Sequence, residues 1–109
     1  MHRTLIVARL NAGAADESVD AVAGAFAESD RTELPDLLGV TGRSLFSFHD
    51  LYFHLIESEV DVRPGLAKVR EHPLFADINT KLSAHISAYD PGWRGPQDAM
   101  AREFYRWQR

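Results

Sequence analysis

The 109-residue chain contains no cysteine. Disulfide bridges, thiolate metal sites and a cysteine nucleophile are therefore excluded together. Long apolar runs are also missing: the longest fall far short of the roughly 20 residues that a membrane-spanning helix needs. The N-terminus has polar residues where a secretion signal would need an apolar core. We therefore expect a cytoplasmic protein that does not enter a membrane.

An excess of positive charge is lacking too. The chain has 16 acidic and 12 basic residues, a formal net charge of −4, and the two signs are interspersed. Binding to a phosphate backbone or to an anionic membrane requires concentrated positive charge. We therefore expect neither nucleic acid nor a membrane as a partner.

The size of the chain favours a single domain over residues 1–109. Hydrophobic residues make up 45% of it, enough for one core, and no length is left for a separate cofactor-binding domain. Small domains bury a lower fraction of their surface than large ones do, and an open sheet of this size often gains stability by pairing. We therefore expect a homodimer.

Hydrophobic periodicity predicts a strand, then a helix, then two more strands. Residues 3–10 are rich in β-branched and apolar types without helical spacing, whereas Val22 and Phe26 belong to a stripe at helical spacing. Residues 32–39 have the composition of a short helical turn closed by glycine. Residues 40–48 and 51–57 alternate as strands do. The two residues between them predict a hairpin.

The second half of the chain predicts a broken helix and a last strand. Pro64 suits the first turn of a helix, and Pro73 should break or kink that helix. In residues 101–107, one set of alternate positions holds Ala101, Glu103, Tyr105 and Trp107 and the other holds Arg102, Phe104 and Arg106, which predicts the final strand. The order βαββαβ is that of an α+β, ferredoxin-like fold with a four-stranded antiparallel sheet. The sheet face without helices would need cover, which a second subunit could provide.

A hairpin centred on residues 49–50 pairs Leu45 with His54 and Arg43 with Ile56. Arg43 and His54 would then be diagonal neighbours on one face, about 7–8 Å apart at the backbone. A three-residue turn would instead place them on opposite faces. From the residues alone, Arg43 could be a solvated strand residue and His54 a satisfied core histidine.

Asp30 continues the apolar stripe of the first helix, near the C-terminal end of that helix. Both burial and the negative end of the helix dipole disfavour a charged carboxylate there, which makes Asp30 a candidate acid. The alternative is that Asp30 and Glu33 form a capping box for the short helix that follows.

Several separated blocks resemble the aromatic polyketide cyclases of the tetracenomycin-cyclase family: ESDRTELP (28–35), GV (39–40), FHDLY (48–52), HLIE (54–57), HPLF (72–75) and EFYRW (103–107). The resemblance covers nearly the whole chain. It implies a ferredoxin-like dimer without cofactor or metal, with Asp30, Arg43 and His54 as the functional residues. Ser29 stands where some members of that family carry histidine, so a histidine base at that position is missing.

The resemblance implies an aldol-type ring closure with dehydration of a poly-β-keto intermediate in type II polyketide biosynthesis. The substrate would be a small molecule, either free or tethered to a carrier protein. We expect His54 or Asp30 to move protons and Arg43 to stabilise the enolate oxygen. Two alternatives remain open. One is a cofactor-free oxygenase of the dimeric ferredoxin-like class, and the other is a non-catalytic chaperone that limits how the polyketide folds.

Overall fold

The computed structural model describes residues 1–11, 15–94 and 96–109. Strands and helices follow one another along these residues in the expected order, and the fold is mixed α+β. No helix in the described part of the chain is long and apolar enough to cross a membrane. The elements are β1 (His2–Leu10), α1 (Ala15–Ser29), α2 (Leu34–Leu38), β2 (Val40–Phe48), β3 (Leu51–Ser58), α3 (Val62–Val69), α4 (Pro73–Ser83), β4 (Ile86–Ser87) and a 3₁₀ turn (Pro96–Ala99).

The four strands form one antiparallel sheet in the order β2-β3-β1-β4. This is the strand order of a ferredoxin-like fold, so the predicted fold class is confirmed. The β2-β3 hairpin has the predicted register, with Leu45 opposite His54 and Arg43 opposite Ile56. Its two-residue turn is made possible by His49, which adopts a positive φ of 55°.

The helices cover one face of the sheet. On β3, Tyr52, His54, Ile56 and Ser58 face the helices and are buried. The predicted break at Pro73 separates α3 from α4, and Pro73 begins α4. On the opposite face, Phe46 and Phe48 of β2 are 53% and 62% exposed. The helix-free face therefore carries large apolar side chains that the described residues leave more than half exposed.

The fourth strand lies elsewhere than the sequence predicts. β4 consists of Ile86–Ser87 and pairs with the end of β1, whereas residues 101–109 form no strand. The C-terminal segment starts beside the free edge of β1, where the Ala101 N–H donates to the Leu5 carbonyl at 2.7 Å. The prediction of a strand at 101–107 is wrong. An alternating sequence forms a strand only where a neighbouring strand can hydrogen-bond to it, and alternation does not reveal whether that neighbour exists. The large side chains there are exposed: Phe104 (86%), Tyr105 (70%) and Trp107 (64%).

Candidate active site

A cavity of about 310 Å³ lies between the sheet and the helices. Most of its wall is apolar, and a few polar side chains reach it from β2, β3 and α4. Concave, largely apolar pockets with a few convergent polar groups are the usual form of a small-molecule site. The lining side chains that matter below are Phe26, Arg43, Tyr52, His54 and Asn79.

Arg43 forms a forked ion pair with Asp30. Its Nε lies 3.2 Å from Oδ1 and 3.1 Å from Oδ2 of Asp30, and its Nη2 lies 2.8 Å from Oδ1. The Arg43 side chain is 15% exposed and that of Asp30 is 38% exposed. The pair therefore joins the end of α1 to β2 at the border between cavity and solvent. Such planar pairing fixes the orientation of a guanidinium better than a single bond would.

The third guanidinium nitrogen of Arg43 is bonded to His54. Nη1 of Arg43 lies 2.7 Å from Nε2 of His54. Because a guanidinium can only donate hydrogen bonds, Nε2 must be the acceptor, and the proton of the neutral ring is on Nδ1. His54 is 6% exposed. Burial, and then the positive charge of Arg43, lower the pKa of His54 from 6.5 to about 3.

Phe26 of α1 packs against both members of this contact. Its ring centroid lies 4.8 Å from the guanidinium carbon of Arg43 and 4.8 Å from the centroid of the His54 ring. A cation over an aromatic face is attracted by the ring quadrupole. The helix layer thus holds Arg43 and His54 in place through one buried phenyl group.

The structure brings Asp30, Arg43 and His54 together, although the surroundings of Asp30 differ from the prediction. Helix α1 ends at Ser29, and the half-exposed Asp30 carboxylate is an ion-pair partner rather than a desolvated acid. Nor does Asp30 cap α2: the Leu34 N–H at the start of that helix donates to the hydroxyl of Thr32 instead. The capping-box reading of Asp30 is wrong, because the fold brings the Arg43 guanidinium to its carboxylate. Its role as an acid stays a prediction.

Sequence reasoning missed Tyr52, which lines the cavity on the same face of β3 as His54. Burial raises the pKa of the Tyr52 phenol well above its ordinary value, and the positive charge of Arg43 opposes this only in part. Buried and partly exposed residues alternate along β3, and this alternation alone would have placed Tyr52 on the face of His54.

Among residues 1–11, 15–94 and 96–109, no three histidine, aspartate or glutamate side chains converge as a metal site would require.

Comparison with known proteins assigns this architecture to a family. The family model for polyketide synthesis cyclases matches residues 2–108. The polyketide synthase CurG of Streptomyces cyaneus is 52% identical over 110 residues, covering 100% of this chain and 99% of that protein. Tetracenomycin F2 cyclase of Streptomyces glaucescens is 42% identical over 106 residues, covering 97% and 94% respectively.

The fold agrees with that relationship. The solved structure of tetracenomycin F2 cyclase, described as a type II polyketide cyclase, superposes with a TM-score of 0.90 at 40% sequence identity. The match covers 100% of this chain and 99% of that one. An uncharacterised protein of Streptomyces coelicolor is 54% identical over 111 residues, covering 100% of this chain and 96% of that protein.

The neutral state of His54 predicts a specific dependence of stability on pH. Below pH 6.5 the unfolded chain binds a proton on this histidine, whereas the folded chain does not until about pH 3. His54 therefore lowers the free energy of unfolding by about 1.4 kcal/mol for each pH unit of acidification in that window. We expect the free energy of unfolding, measured with urea, to fall on going from pH 7 to pH 5. The fall should be about 2 kcal/mol larger in the wild type than in His54→Gln.

His49→Asn is the matched control, because asparagine tolerates the positive φ of this exposed turn residue. It should keep the wild-type dependence on pH. Equal losses of stability on acidification in the wild type and in His54→Gln would contradict the neutral, buried histidine.

Proposed function

The chain belongs to the polyketide synthesis cyclase family, and from that premise we propose that it catalyses an aldol-type ring closure with loss of water. The substrate is a poly-β-keto intermediate of type II polyketide biosynthesis. The observation that carries the proposal is the Arg43 guanidinium, fixed between two partners at the wall of an apolar cavity.

The reaction makes four demands on a site. A proton leaves a methylene group between two carbonyls, the resulting enolate oxygen is stabilised, the enolate carbon attacks a second carbonyl, and the new hydroxyl group leaves as water. Oriented donors near the developing negative charge usually supply the largest contribution to such a rate. A cavity that folds the chain brings the two carbons together.

Arg43 meets the demand for a donor. A guanidinium has five N–H groups. Two of them bond Asp30, one from Nε and one from Nη2, and a third bonds His54 from Nη1. One N–H on each terminal nitrogen therefore stays available for an enolate oxygen in the cavity. The enolate gains a hydrogen bond from a group that is already held in place, so little reorganisation accompanies the reaction.

Asp30 suits the role of base better than His54 does. The lone pair of His54 Nε2 already accepts from Arg43, and a pKa of about 3 makes that ring a weak proton acceptor. A carboxylate has about four acceptor positions, and Asp30 uses three of them on Arg43. In the proposal Asp30 accepts a first methylene proton while Arg43 holds the enolate oxygen, and it returns that proton to the alkoxide formed by the attack, which becomes a hydroxyl group. Asp30 then accepts the second proton of the same carbon and gives it to that hydroxyl group, which leaves as water.

Reconstitution of the upstream polyketide enzymes tests the reaction. With this protein present, mass spectrometry should find a product lighter by one water than without it, whether the substrate is supplied free or on its carrier protein. A product heavier by one oxygen, or lighter by two hydrogens, would identify an oxygenase instead. An unchanged product mass with altered ratios of spontaneous products would identify a chaperone.

Replacing Arg43 should remove the main oxyanion-stabilising group. Arg43→Ala is expected to slow cyclisation by about 10²–10³-fold. Arg43→Lys should recover only part of the rate, because an ammonium group lacks the planar fork that contacts two partners at once. Rates are compared at saturating substrate, and circular dichroism checks that each variant is folded.

Arg9→Ala is the control for that experiment, since Arg9 pairs with Asp50 in an exposed ion pair away from the cavity. Its cyclisation rate should equal that of the wild type. Full activity in Arg43→Ala would remove Arg43 from the site.

The proposal includes a homodimer, supported by apolar side chains that the described part of the chain leaves exposed. They lie on the helix-free sheet face, at Phe46 and Phe48, and in the C-terminal segment. Exposed apolar patches of this kind commonly mark an interface between subunits. Covering the helix-free face would give the sheet a second apolar layer.

Sedimentation should therefore give twice the 12.2 kDa mass of one chain. The double variant Phe46→Ser, Phe48→Ser should shift the equilibrium towards monomer because it removes apolar area from the interface. Leu37→Ser removes an exposed apolar side chain on α2 and should leave the mass unchanged. A wild-type protein that stays monomeric at high concentration would contradict the dimer.

A further inference from the structure

Among the described residues of the cavity wall, Tyr52 is the buried polar side chain to which the proposed mechanism gives no role. It is 5% exposed, and it points towards the helices from β3, two residues before His54. The centroids of the two rings are 6.2 Å apart. Because Arg43 stands diagonal to His54 across the hairpin, the three side chains share one region of the cavity.

The hydroxyl group of Tyr52 forms no hydrogen bond with any residue in the described parts of the chain. No side-chain nitrogen or oxygen described there is both fully buried and unpaired, so this hydroxyl reaches the open space of the cavity although its side chain is largely buried. Tyrosine hydroxyls in largely buried side chains usually have a partner. Phenylalanine would fill the same space equally well, so packing alone does not explain the hydroxyl group. An unpaired hydroxyl in the wall of a substrate-sized cavity is therefore a donor without an acceptor in the protein itself.

We propose that the Tyr52 hydroxyl donates a hydrogen bond to a substrate oxygen and so forms, together with Arg43, a two-donor site for the enolate. This inference rests on the proposed function for the identity of the substrate. The ligand class that it requires is broader: a conjugated, planar molecule that carries an anionic oxygen, such as an enolate or a phenolate.

The two donors would have complementary properties. Arg43 supplies a positive charge, whereas Tyr52 supplies a neutral hydroxyl. Burial keeps the phenol protonated at any working pH, because it raises the pKa well above the ordinary value. Tyr52 is therefore a donor and not a base, and no net proton transfer passes through it. A hydrogen bond to a charged oxygen is stronger than one to a neutral carbonyl, so Tyr52 favours the enolate over the ketone.

Tyr52→Phe tests the role of the hydroxyl because it removes a single oxygen atom. We expect kcat for cyclisation to fall by about 10- to 100-fold, the usual effect of losing one hydrogen bond to a charged group. KM should change little, since the bond strengthens only as charge develops. The melting temperature should not fall, because the hydroxyl has no partner to lose. A lower melting temperature, or an unchanged kcat, would overturn the proposal.

Tyr89→Phe is the matched control. Tyr89 is 44% exposed and packs against Trp93 outside the cavity wall, so kcat and melting temperature should both equal those of the wild type. It shows that loss of a tyrosine hydroxyl as such does not slow the reaction.

A binding experiment tests the same donor without relying on cyclisation. The probes are 2-naphtholate, which presents an anionic oxygen on an aromatic frame, and naphthalene, which lacks the oxygen; both are used at a pH above the pKa of 2-naphthol, where Tyr52 is still protonated. Wild-type protein should bind 2-naphtholate more tightly than naphthalene. Tyr52→Phe should lose about tenfold or more of the affinity for 2-naphtholate and none of that for naphthalene.

The two experiments separate failure of the inference from failure of the proposed function. If the wild type does not cyclise polyketides but Tyr52→Phe still binds 2-naphtholate less tightly, the proposed reaction is refuted and the Tyr52 donor is supported. Equal affinity of wild type and Tyr52→Phe for 2-naphtholate would overturn the donor even in an active cyclase.

Discussion

The candidate site depends on the hydrogen bonds of the Arg43 guanidinium, which bonds the Asp30 carboxylate on one side and the His54 ring on the other. Three elements meet there: the end of α1, strand β2 and strand β3. Phe26 packs on the same guanidinium and on the same imidazole, so the contact is supported from the helix layer. A partly buried arginine with fixed partners is a preorganised donor, and the largely apolar wall beside it screens its charge less than bulk water would.

That contact also decides which chemistry each neighbour can perform. Since an arginine cannot accept a hydrogen bond, His54 must, and its ring is held neutral with the proton on Nδ1. The Asp30 carboxylate pairs with the same positive charge at the cavity border. Two N–H groups of Arg43 make three contacts with it, because the Nε–H is shared between both carboxylate oxygens. Tyr52 completes the set as a buried neutral phenol. The site is therefore richer in donors than in bases, which suits the proposed reaction, whose acidic methylene groups need stabilisation of the enolate more than a strong base.

Strict alternation made the centre of the sheet predictable, and with it the common face of Arg43 and His54. The surroundings of Asp30 were not predictable, because the guanidinium that binds it comes from 13 residues further along the chain. Strand β4, Ile86–Ser87, is too short to show any periodicity. The position of Tyr52 follows from the same alternation as that of His54. The lack of a partner for its hydroxyl depends on how the helices pack, which no local pattern reveals.

The central claim, that Arg43 holds His54 as a neutral acceptor, is tested most directly by the ¹⁵N chemical shifts of the His54 ring. At neutral pH and at about pH 5, the account predicts a protonated Nδ1 and an unprotonated, hydrogen-bonded Nε2, because the pKa is lowered to about 3. In Arg43→Ala the hydrogen-bond shift of Nε2 should disappear. A ring protonated on Nε2, or on both nitrogens at either pH, would contradict the account.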